Sequence, residues 1–275
     1  MAGLADVTGS AAHGDGSIRR HRLSTRIWHW INAATFLILL MSGLMIFNAH
    51  PRLYWGAYGA NPDPSWLQIG SADGRGYPRV GEQVFDTNGV LGTQSVDGAV
   101  QRRAFPGWAT LPSTYDLALS RRWHLTFAWL FAGGIVLYGA CSLANGHLRR
   151  DLLPRWRELG VRHLLSEVVG HLTLRFRHDT GGGFNTLQKL AYLAVLVVLL
   201  PLMILTGLTM SPSMDATWPW LLDLFGGRQS ARSVHFIVAA LLVLFVIVHL
   251  VMVVLAGPVN GIRSMVTGRW RLPKE

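Results

Sequence analysis

Two histidines, His235 and His249, lie fourteen residues apart in the most apolar part of the chain, the segment SVHFIVAALLVLFVIVHLVMVVL. An ionisable group inside a bilayer is energetically expensive and marks a functional site by default. Imidazole is a common metal ligand, which binds through the ring nitrogen that carries no proton. The two histidines therefore predict metal chemistry inside a membrane if other ligands meet them.

Two further histidines lie in apolar segments, His29 in STRIWHWINAATF and His124 in RRWHLTFAWLF. Fourteen residues of α-helix rise about 21 Å and turn through roughly 1400°, about 40° short of four full turns. His235 and His249 therefore share one face of a helix at two depths. Because consecutive membrane helices alternate in direction, His124 reaches the level of His235, and His29 reaches the level of His249.

Two pairs of imidazoles at two depths of a helix bundle are what two b-type haems with histidine ligands require. Zinc would find too few protein ligands at such a pair. The single Cys141 and the absence of a CxxCH motif exclude a cysteine-based cluster and covalently attached haem. A membrane proton relay usually includes Asp or Glu, and the apolar segments contain neither. The sequence thus predicts two haems b, with axial ligands drawn from His29, His124, His235 and His249.

Four apolar segments are long enough to cross the roughly 30 Å hydrocarbon core of a bilayer as helices. Half of the 275 residues are hydrophobic and only 15% are charged, which is unlike an ordinary soluble domain. The sequence predicts an all-α integral membrane fold, a four-transmembrane-helix bundle that forms a single domain over residues 1–275. The predicted helices span about 26–47, 122–144, 187–210 and 232–256.

Basic residues are distributed unevenly between the connections. Residues 1–26, 145–186 and 257–275 hold fifteen Arg or Lys against seven Asp or Glu, whereas 48–122 and 211–232 hold eight or nine against eight. The positive-inside rule places the first set in the cytoplasm. We therefore predict a multi-pass membrane protein with both termini cytoplasmic; in a bacterium this is the inner membrane, and the 48–122 loop faces the periplasm. The net charge of +10 then reflects topology, and no nucleic acid is expected as a partner.

The two long connections have different compositions. The predicted periplasmic loop, residues 48–121, is rich in Gly, Pro and aromatic residues. It is long for a connection without structure of its own, so we expect it to dock on a partner. The predicted cytoplasmic loop, residues 145–186, alternates leucines and valines with charges, which predicts a helix at the membrane surface.

Two glycines accompany the predicted haem ligands. Gly43 lies fourteen residues after His29, and Gly207 lies at the same level of the third segment, in the similar sequences MSGLMIF and LTGLTMSP. A flat porphyrin needs small residues on neighbouring helices, which favours a role at the haem. Ordinary close packing of membrane helices predicts glycine at such positions equally well.

Arginines flank the predicted haem ligands on both sides of the membrane. Arg26 on the cytoplasmic side and Arg122 on the periplasmic side are placed to neutralise haem propionates. Arg121 and Arg232 are further candidates on the periplasmic side. Each of these arginines is also suited to anchoring a helix at the membrane edge.

Histidines outside the apolar segments are the main alternative ligands. His50 follows the first segment on the predicted periplasmic side, but it precedes Pro51 in a loop, so His124 is the preferred ligand. The remaining histidines of the predicted cytoplasmic loop are expected at the surface. They are His147, His163, His171 and His178.

The segments RIWHW and RWHLTFAWLF, together with the fourteen-residue histidine interval, resemble the cytochrome b subunits of membrane-bound formate dehydrogenases and nickel–iron hydrogenases. These subunits fall within the bacterial cytochrome b561-type family, and the resemblance covers roughly residues 18–270. It implies that the fourth helix supplies one ligand to each haem. The implied pairs are His124–His235 on the periplasmic side and His29–His249 on the cytoplasmic side.

The segment FNTLQKLAYLAVL is similar to an Asn-x-x-Gln-Lys segment of the same family, which lines a quinone pocket beside the inner haem. The resemblance implies a quinone site at Asn185, with Gln188 and Lys189 close by and His249 on the other side. Leu187 stands where some relatives have glycine. Gln188 and Lys189 at a helix end are also expected simply to extend their polar ends to the membrane surface.

Taken together, these features predict a di-haem cytochrome b that transfers electrons between a periplasmic redox partner and membrane ubiquinone or menaquinone. The partner would be a dehydrogenase or a molybdenum or nickel–iron oxidoreductase subunit. No separate catalytic residues are predicted, and an oligomer is compatible with the sequence. One alternative is a stand-alone quinone-linked superoxide oxidase or a reductase of a small acceptor. The other is a haem-free transporter or scaffold, which would be colourless.

Overall fold

A computed structural model of the chain contains long helices and short strands. Four helices are long and apolar enough to cross a membrane, which confirms the predicted number of candidate spans. The described residues are 17–19, 21, 23–87, 89–144, 153, 159–172, 186–255 and 257–271.

The long helices begin slightly before the predicted positions. The first, second and fourth start three to five residues early, because polar side chains such as Arg121 and Arg228 continue a helix beyond its apolar part. In chain order the helices are α1 (Leu23–Asn48), α2 (Leu117–Ala144), α3 (Val161–Leu172), α4 (Thr186–Thr209), α5 (Pro212–Thr217), α6 (Trp220–Leu224), α7 (Arg228–Leu255) and α8 (Pro258–Thr267).

The candidate spans α1, α2, α4 and α7 expose most of their apolar side chains. Only 6% of the apolar window of α2 and 11% of those of α4 and α7 are buried inside the protein. A helix satisfies all its backbone hydrogen bonds internally, so such surfaces suit the hydrocarbon of a bilayer. A π-helical stretch, Ala194–Leu199, interrupts α4 just before Pro201.

The connection between α1 and α2 is folded into β-structure. The all-α prediction therefore holds for the four long helices, and this connection adds strands that were not predicted. In chain order the strands are β1 (Ser17–Arg19), β2 (Arg52–Leu53), β3 (Leu67–Ala72), β4 (Arg75–Val80), β5 (Gln83–Val84), β6 (Gly92–Val96), β7 (Ala99–Arg103) and β8 (Arg269–Arg271). The connection contains one antiparallel sheet in the order β2-β3-β4-β5 and a separate β6-β7 hairpin.

Two-residue turns close the hairpins β3–β4 and β6–β7. Ala72 pairs with Arg75 across Asp73–Gly74, and Val96 pairs with Ala99 across Asp97–Gly98. Both residues of each turn have positive φ, from 49° to 79°. This is the type I′ geometry that matches the twist of the strands, and Asp-Gly is a preferred sequence for it.

The chain divides into two compact units, and the boundary falls inside each of the four long helices. One unit comprises residues 1–31, 135–201 and 242–275, and the other comprises residues 32–134 and 202–241.

The unit that contains both termini is closed by contacts between distant parts of the chain. Strand β1 pairs antiparallel with β8. Trp30 of α1 donates from Nε1 to the carbonyl of Met265 at 3.2 Å, and Arg26 donates to the carbonyl of Val266. These bonds satisfy carbonyls at the end of α8 that have no helical partner.

The other unit has an apolar core between the end of α1 and the β-structure. Its buried members are Phe47, Leu53, Ile69 and Ala104. Trp66 also donates from Nε1 to Ser233 Oγ at 2.9 Å, which ties the start of the sheet to α7.

Candidate functional site

The structure brings the four predicted histidines together two by two. His124 of α2 faces His235 of α7 with ring centroids 6.4 Å apart and ring planes at 62°. His29 of α1 faces His249 of α7 at 6.5 Å and 62°. Each pair lies within one compact unit. These are the pairs expected from the levels of the histidines in the sequence.

The separation of the rings suits a single metal ion between each pair. A ligating imidazole nitrogen lies about 2 Å from its metal and roughly 1.2 Å from its own ring centroid, so opposed rings would lie about 6.4 Å apart. No three His, Cys, Asp or Glu side chains converge into a metal site within the described part of the chain. Each pair thus offers two imidazole rings at a separation that would suit a haem held between them.

Hydroxyl groups set the tautomer of the His124–His235 pair. Ser42 Oγ lies 3.0 Å from His124 Nδ1, and Thr206 Oγ1 lies 2.9 Å from His235 Nδ1. Both hydroxyls donate their own proton to a carbonyl one turn earlier, at 2.6 Å in each case. Each hydroxyl oxygen therefore accepts a hydrogen bond from Nδ1–H. This leaves Nε2 of both rings without a proton and free to bind a metal.

A glycine follows each of these hydroxyl residues. A Cβ on Gly43 would lie 3.3 Å from Cε1 of His124, and a Cβ on Gly207 would lie 3.6 Å from Cε1 of His235. The structure thus places both glycines directly against imidazole rings. On both α1 and α4, a hydroxyl residue followed by glycine thus allows close approach to a histidine of another helix.

Aromatic rings surround the His29–His249 pair. Phe245 stacks on His249 with centroids 6.5 Å apart and planes at 16°, and Tyr192 of α4 meets Phe245 edge-on at 6.2 Å. The ring of Trp30 lies 5.3 Å from that of His29. The pair is therefore flanked by aromatic rings of α1 and α7, and Tyr192 of α4 packs against one of these rings.

The predicted arginines differ in their surroundings. Arg26 packs at the end of α8 through the bond to Val266, while its Nε is buried with no partner among the described residues. Arg122 is exposed on α2, two residues before His124. Arg121 is exposed as well.

Arg232 and His50 lie together at the start of α7. Arg232 donates to the carbonyls of His50 and Arg52 and lies over the ring of Phe47. His50 stacks on Tyr54, and its Nε2 is buried without a partner among the described residues. Burial, with the charges of Arg232 and Arg52, lowers the pKa of His50. The imidazole of His50 is therefore neutral at pH 7, and it lies outside both histidine pairs.

A buried arginine, Arg103 at the end of β7, was missed by sequence reasoning. It is 8% exposed, and its Nη2 donates to Thr110 Oγ1 at 2.7 Å and lies 3.9 Å from Met45 Sδ. Burial lowers its pKa, an effect that Tyr115 partly opposes. Its Nε has no partner, and no carboxylate forms an ion pair with it among the described residues. A buried charge without a counter-ion costs several kcal/mol, so this position calls for an anion.

The predicted quinone residues lie at the start of α4. Asn185 lies outside the described residues. Gln188 and Lys189 are half-buried in the first turn of α4, where both make interactions. Gln188 and Tyr192 are four residues apart and so share the helix face that leads to Phe245 and His249.

Comparison with known proteins identifies a family and relatives. Residues 20–268 match the family model of prokaryotic cytochrome b561. A putative protein-methionine-sulfoxide reductase subunit YedZ1 of Azospira oryzae is 27% identical over 230 residues, which are 84% of this chain and 87% of the relative. The putative cytochrome YdhU of Escherichia coli is 26% identical over 265 residues, 94% of this chain and 76% of the relative.

A third relative is a probable Ni/Fe-hydrogenase B-type cytochrome subunit of Azotobacter vinelandii. It is 27% identical over 168 residues, which are 55% of this chain and 70% of the relative. No solved structure matches the chain significantly. The family match extends over the four candidate membrane helices and both histidine pairs. The chain therefore belongs to the prokaryotic cytochrome b561 family and is a membrane electron-transfer protein of the kind that carries haem b.

Proposed function

We propose that this protein is a di-haem cytochrome b that transfers electrons between a periplasmic oxidoreductase and quinone in the bacterial inner membrane. The observation that carries the proposal is the presence of two histidine pairs, with ring centroids 6.4 Å and 6.5 Å apart, one in each compact unit. In this proposal residues 1–275 form one cytochrome domain with both termini cytoplasmic.

The residues present fit two haems b in their donor chemistry. Each pair supplies two imidazole nitrogens, and the hydroxyls of Ser42 and Thr206 hold the Nδ1–H groups of His124 and His235 so that Nε2 faces a metal. Bound there, each haem would take up and release one electron at a time.

Buried positive charge supports the same assignment. Arg103 has no carboxylate partner among the described residues, and its guanidinium lies beside Met45, one turn after Ser42 on α1. We propose that Arg103 and Arg232 neutralise the propionates of the haem at His124 and His235. Arg26 would do so near His29 through its Nε, which has no partner among the described residues. A positive charge near a haem favours the reduced state and so raises its potential.

The Ser42 hydroxyl is expected to tune that potential. Its bond to Nδ1–H makes His124 a more basic ligand, which favours ferric iron. We therefore expect Ser42→Ala to retain two haems and to raise the midpoint potential of one of them by tens of millivolts in a redox titration. Ser213→Ala removes an exposed hydroxyl and should leave both potentials unchanged. Equal potentials in Ser42→Ala and the unmodified protein would contradict this role.

The folded connection between α1 and α2 supports docking of a partner. It exposes large aromatic side chains, with Trp55 at 56%, Tyr58 at 89% and Trp108 at 79%. Such residues dominate binding energy in protein interfaces. Two relatives are named as subunits, one of a reductase and one of a hydrogenase. We propose that a periplasmic redox subunit docks on this connection and exchanges electrons through the His124–His235 site.

The aromatic rings beside the His29–His249 pair support a quinone site. Tyr192 and Phe245 offer flat apolar surfaces that suit a quinone ring. Gln188 lies on the same helix face as Tyr192 and has hydrogen-bonding groups that suit a quinone carbonyl. We propose that Asn185, Gln188 and Lys189 line this site.

The experiment that tests the proposal is a haem count. The full chain is purified in detergent from bacterial membranes, and reduced-minus-oxidised spectra are recorded with a pyridine haemochrome titration. We expect two b haems per chain. One haem would mean that one histidine pair is not a ligand pair, and none would refute the proposal. Turnover of superoxide or a small acceptor by the purified protein alone would instead favour the stand-alone enzyme.

A further inference from the structure

A carboxylate from α3 holds the first turn of α4. Glu167 Oε2 accepts a hydrogen bond from the amide of Leu187 at 2.9 Å, and Oε1 accepts one from the amide of Thr186 at 3.3 Å. The Glu167 side chain is only 17% exposed. These amides open a helix and have no partner within it. Glu167 thus fixes the backbone of the segment to which the proposed quinone residues belong.

A histidine connects this half-buried carboxylate with water. His163 Nε2 lies 3.0 Å from Glu167 Oε1 and 3.2 Å from Thr186 Oγ1, while its side chain is 49% exposed. His163 and Glu167 are four residues apart on α3 and therefore lie on one face of that helix. A polar path thus leads from solvent through an imidazole to a carboxylate at the start of α4.

The position of this path matters because quinone chemistry moves protons as well as electrons. Reduction of a quinone adds two electrons to the ring and one proton to each of its two carbonyl oxygens. None of the four apolar segments contains Asp or Glu; these segments are residues 26–47, 122–144, 187–210 and 232–256. Among the described residues, Glu167 is a carboxylate that contacts the backbone of Thr186 and Leu187, just before Gln188.

We propose that His163 and Glu167 form the proton-transfer pair of the quinone site, an inference that rests on the quinone function proposed above. His163 takes a proton from cytoplasmic water and passes it from Nε2 to Oε1 of Glu167. Glu167 releases it toward a quinone oxygen and returns to the carboxylate, while the two electrons come from the reduced cytochrome. Two such cycles complete the quinol, and quinol oxidation runs the same path in reverse.

The charge state of Glu167 agrees with this role. Burial raises the pKa of Glu167, but the amides of Leu187 and Thr186, the Thr186 hydroxyl and His163 outweigh it, so the pKa lies below its usual value. The bonds to α4 therefore persist above the ordinary glutamate pKa of about 4.3 and are lost only as the pH falls through the lowered value. The other charged groups on the two packed helices are Arg162 and Lys189. Between pH 6 and 8 the resting Glu167 is thus a carboxylate throughout, so a change in rate over this range does not come from its own titration.

The test uses the full-length cytochrome with its haems reduced, mixed rapidly with decyl-ubiquinone or menadione between pH 6 and 8.5. Oxidation is followed at the haem absorption band. We expect Glu167→Gln to slow the reaction by about tenfold or more, most strongly at high pH where protons are scarce. Glutamine keeps one acceptor for the α4 amides, so haem content should not change. His163→Gln should slow the reaction in the same direction.

Chemical rescue separates proton transfer from positioning. Formate or acetate should restore part of the rate of Glu167→Gln, because a small acid can replace a missing proton donor but not a missing anchor. Ser166→Ala, which removes an exposed hydroxyl of the same helix, is the matched control and should react like the unmodified protein.

Three outcomes would overturn the inference. One is an unchanged rate and pH profile in both Glu167→Gln and His163→Gln. Another is a slower Glu167→Gln whose pH profile is unchanged and which no weak acid rescues, since this would show an anchor alone. If neither quinone oxidises the unmodified cytochrome, the quinone function itself fails. That result differs from the first two because it does not depend on any variant.

Discussion

His235→Ala is expected to lower the haem content of the purified protein from two to one per chain. His235 and His124 are the opposed donors of one pair, 6.4 Å apart between ring centroids. No third His, Cys, Asp or Glu side chain completes a metal site with them in the described part of the chain, so alanine would leave His124 as the one remaining histidine to hold this haem. A pyridine haemochrome titration measures the loss, and the retained haem at His29 and His249 shows that the protein has folded.

The matched control is His50→Ala, which removes a half-buried histidine from the same compact unit. We expect it to keep two haems, because His50 packs on Tyr54 outside the pair. His235→Ala should also abolish reduction of quinone by the periplasmic partner, since that path begins at the lost haem. Two haems in His235→Ala, or one haem in His50→Ala, would show that the ligand assignment is wrong.

The second large effect is expected from His29→Ala. It removes one donor of the other pair, 6.5 Å from His249 between ring centroids, and should again leave one haem per chain. The retained haem should still be reduced by dithionite. Its oxidation by decyl-ubiquinone should fall to background, because the proposed quinone site adjoins the lost haem. Rapid mixing followed at the haem absorption band measures this rate.

Trp30→Phe provides the control for His29→Ala. It alters the neighbouring residue and removes the hydrogen bond to Met265, yet it leaves both histidines in place. We expect two haems and quinone-linked oxidation in this variant. Rapid oxidation of His29→Ala by quinone would mean that quinone reacts at the His124–His235 site, and the electron path proposed above would then be wrong.

The number of candidate spans and the pairing levels of the histidines follow from the sequence. Both depend on regular helix geometry, because length and apolarity mark a span and a rise of about 1.5 Å per residue sets the depth of each side chain. The family resemblance rested on segments around His29 and His124, which are local as well. The depth of a histidine follows from its position along its own helix, so it can be predicted without knowing which helices are neighbours.

The β-structure between α1 and α2 had a sequence signal that the prediction did not use. Asp73–Gly74 and Asp97–Gly98 are Asp-Gly pairs, and each closes a two-residue hairpin turn. Such pairs between extended segments are a strong local hairpin signal. The strands themselves are short, and β3 and β4 each contain a glycine that interrupts their alternation. This part of the fold was therefore predictable in principle from local sequence.

Other features depend on contacts between residues far apart in the chain. Ser42 meets His124 across 82 residues, and Arg103 meets Met45 across 58. Glu167 accepts a hydrogen bond from the amide of Leu187, which lies 20 residues later in the chain. The sequence alone does not indicate that these two residues are in contact. A serine after an apolar run or an arginine in a loop has many possible partners, and packing selects one of them.

The sequence by itself therefore determined the membrane helices, the four histidines and the levels at which they lie, because each follows from a helical repeat within one segment. Only the tertiary structure decided which hydroxyl orients each ring of the His124–His235 pair and why a glycine follows each hydroxyl residue. It also decided that Arg103 is buried without a carboxylate partner among the described residues. These features require two or more elements to meet, and their energies depend on burial and distance.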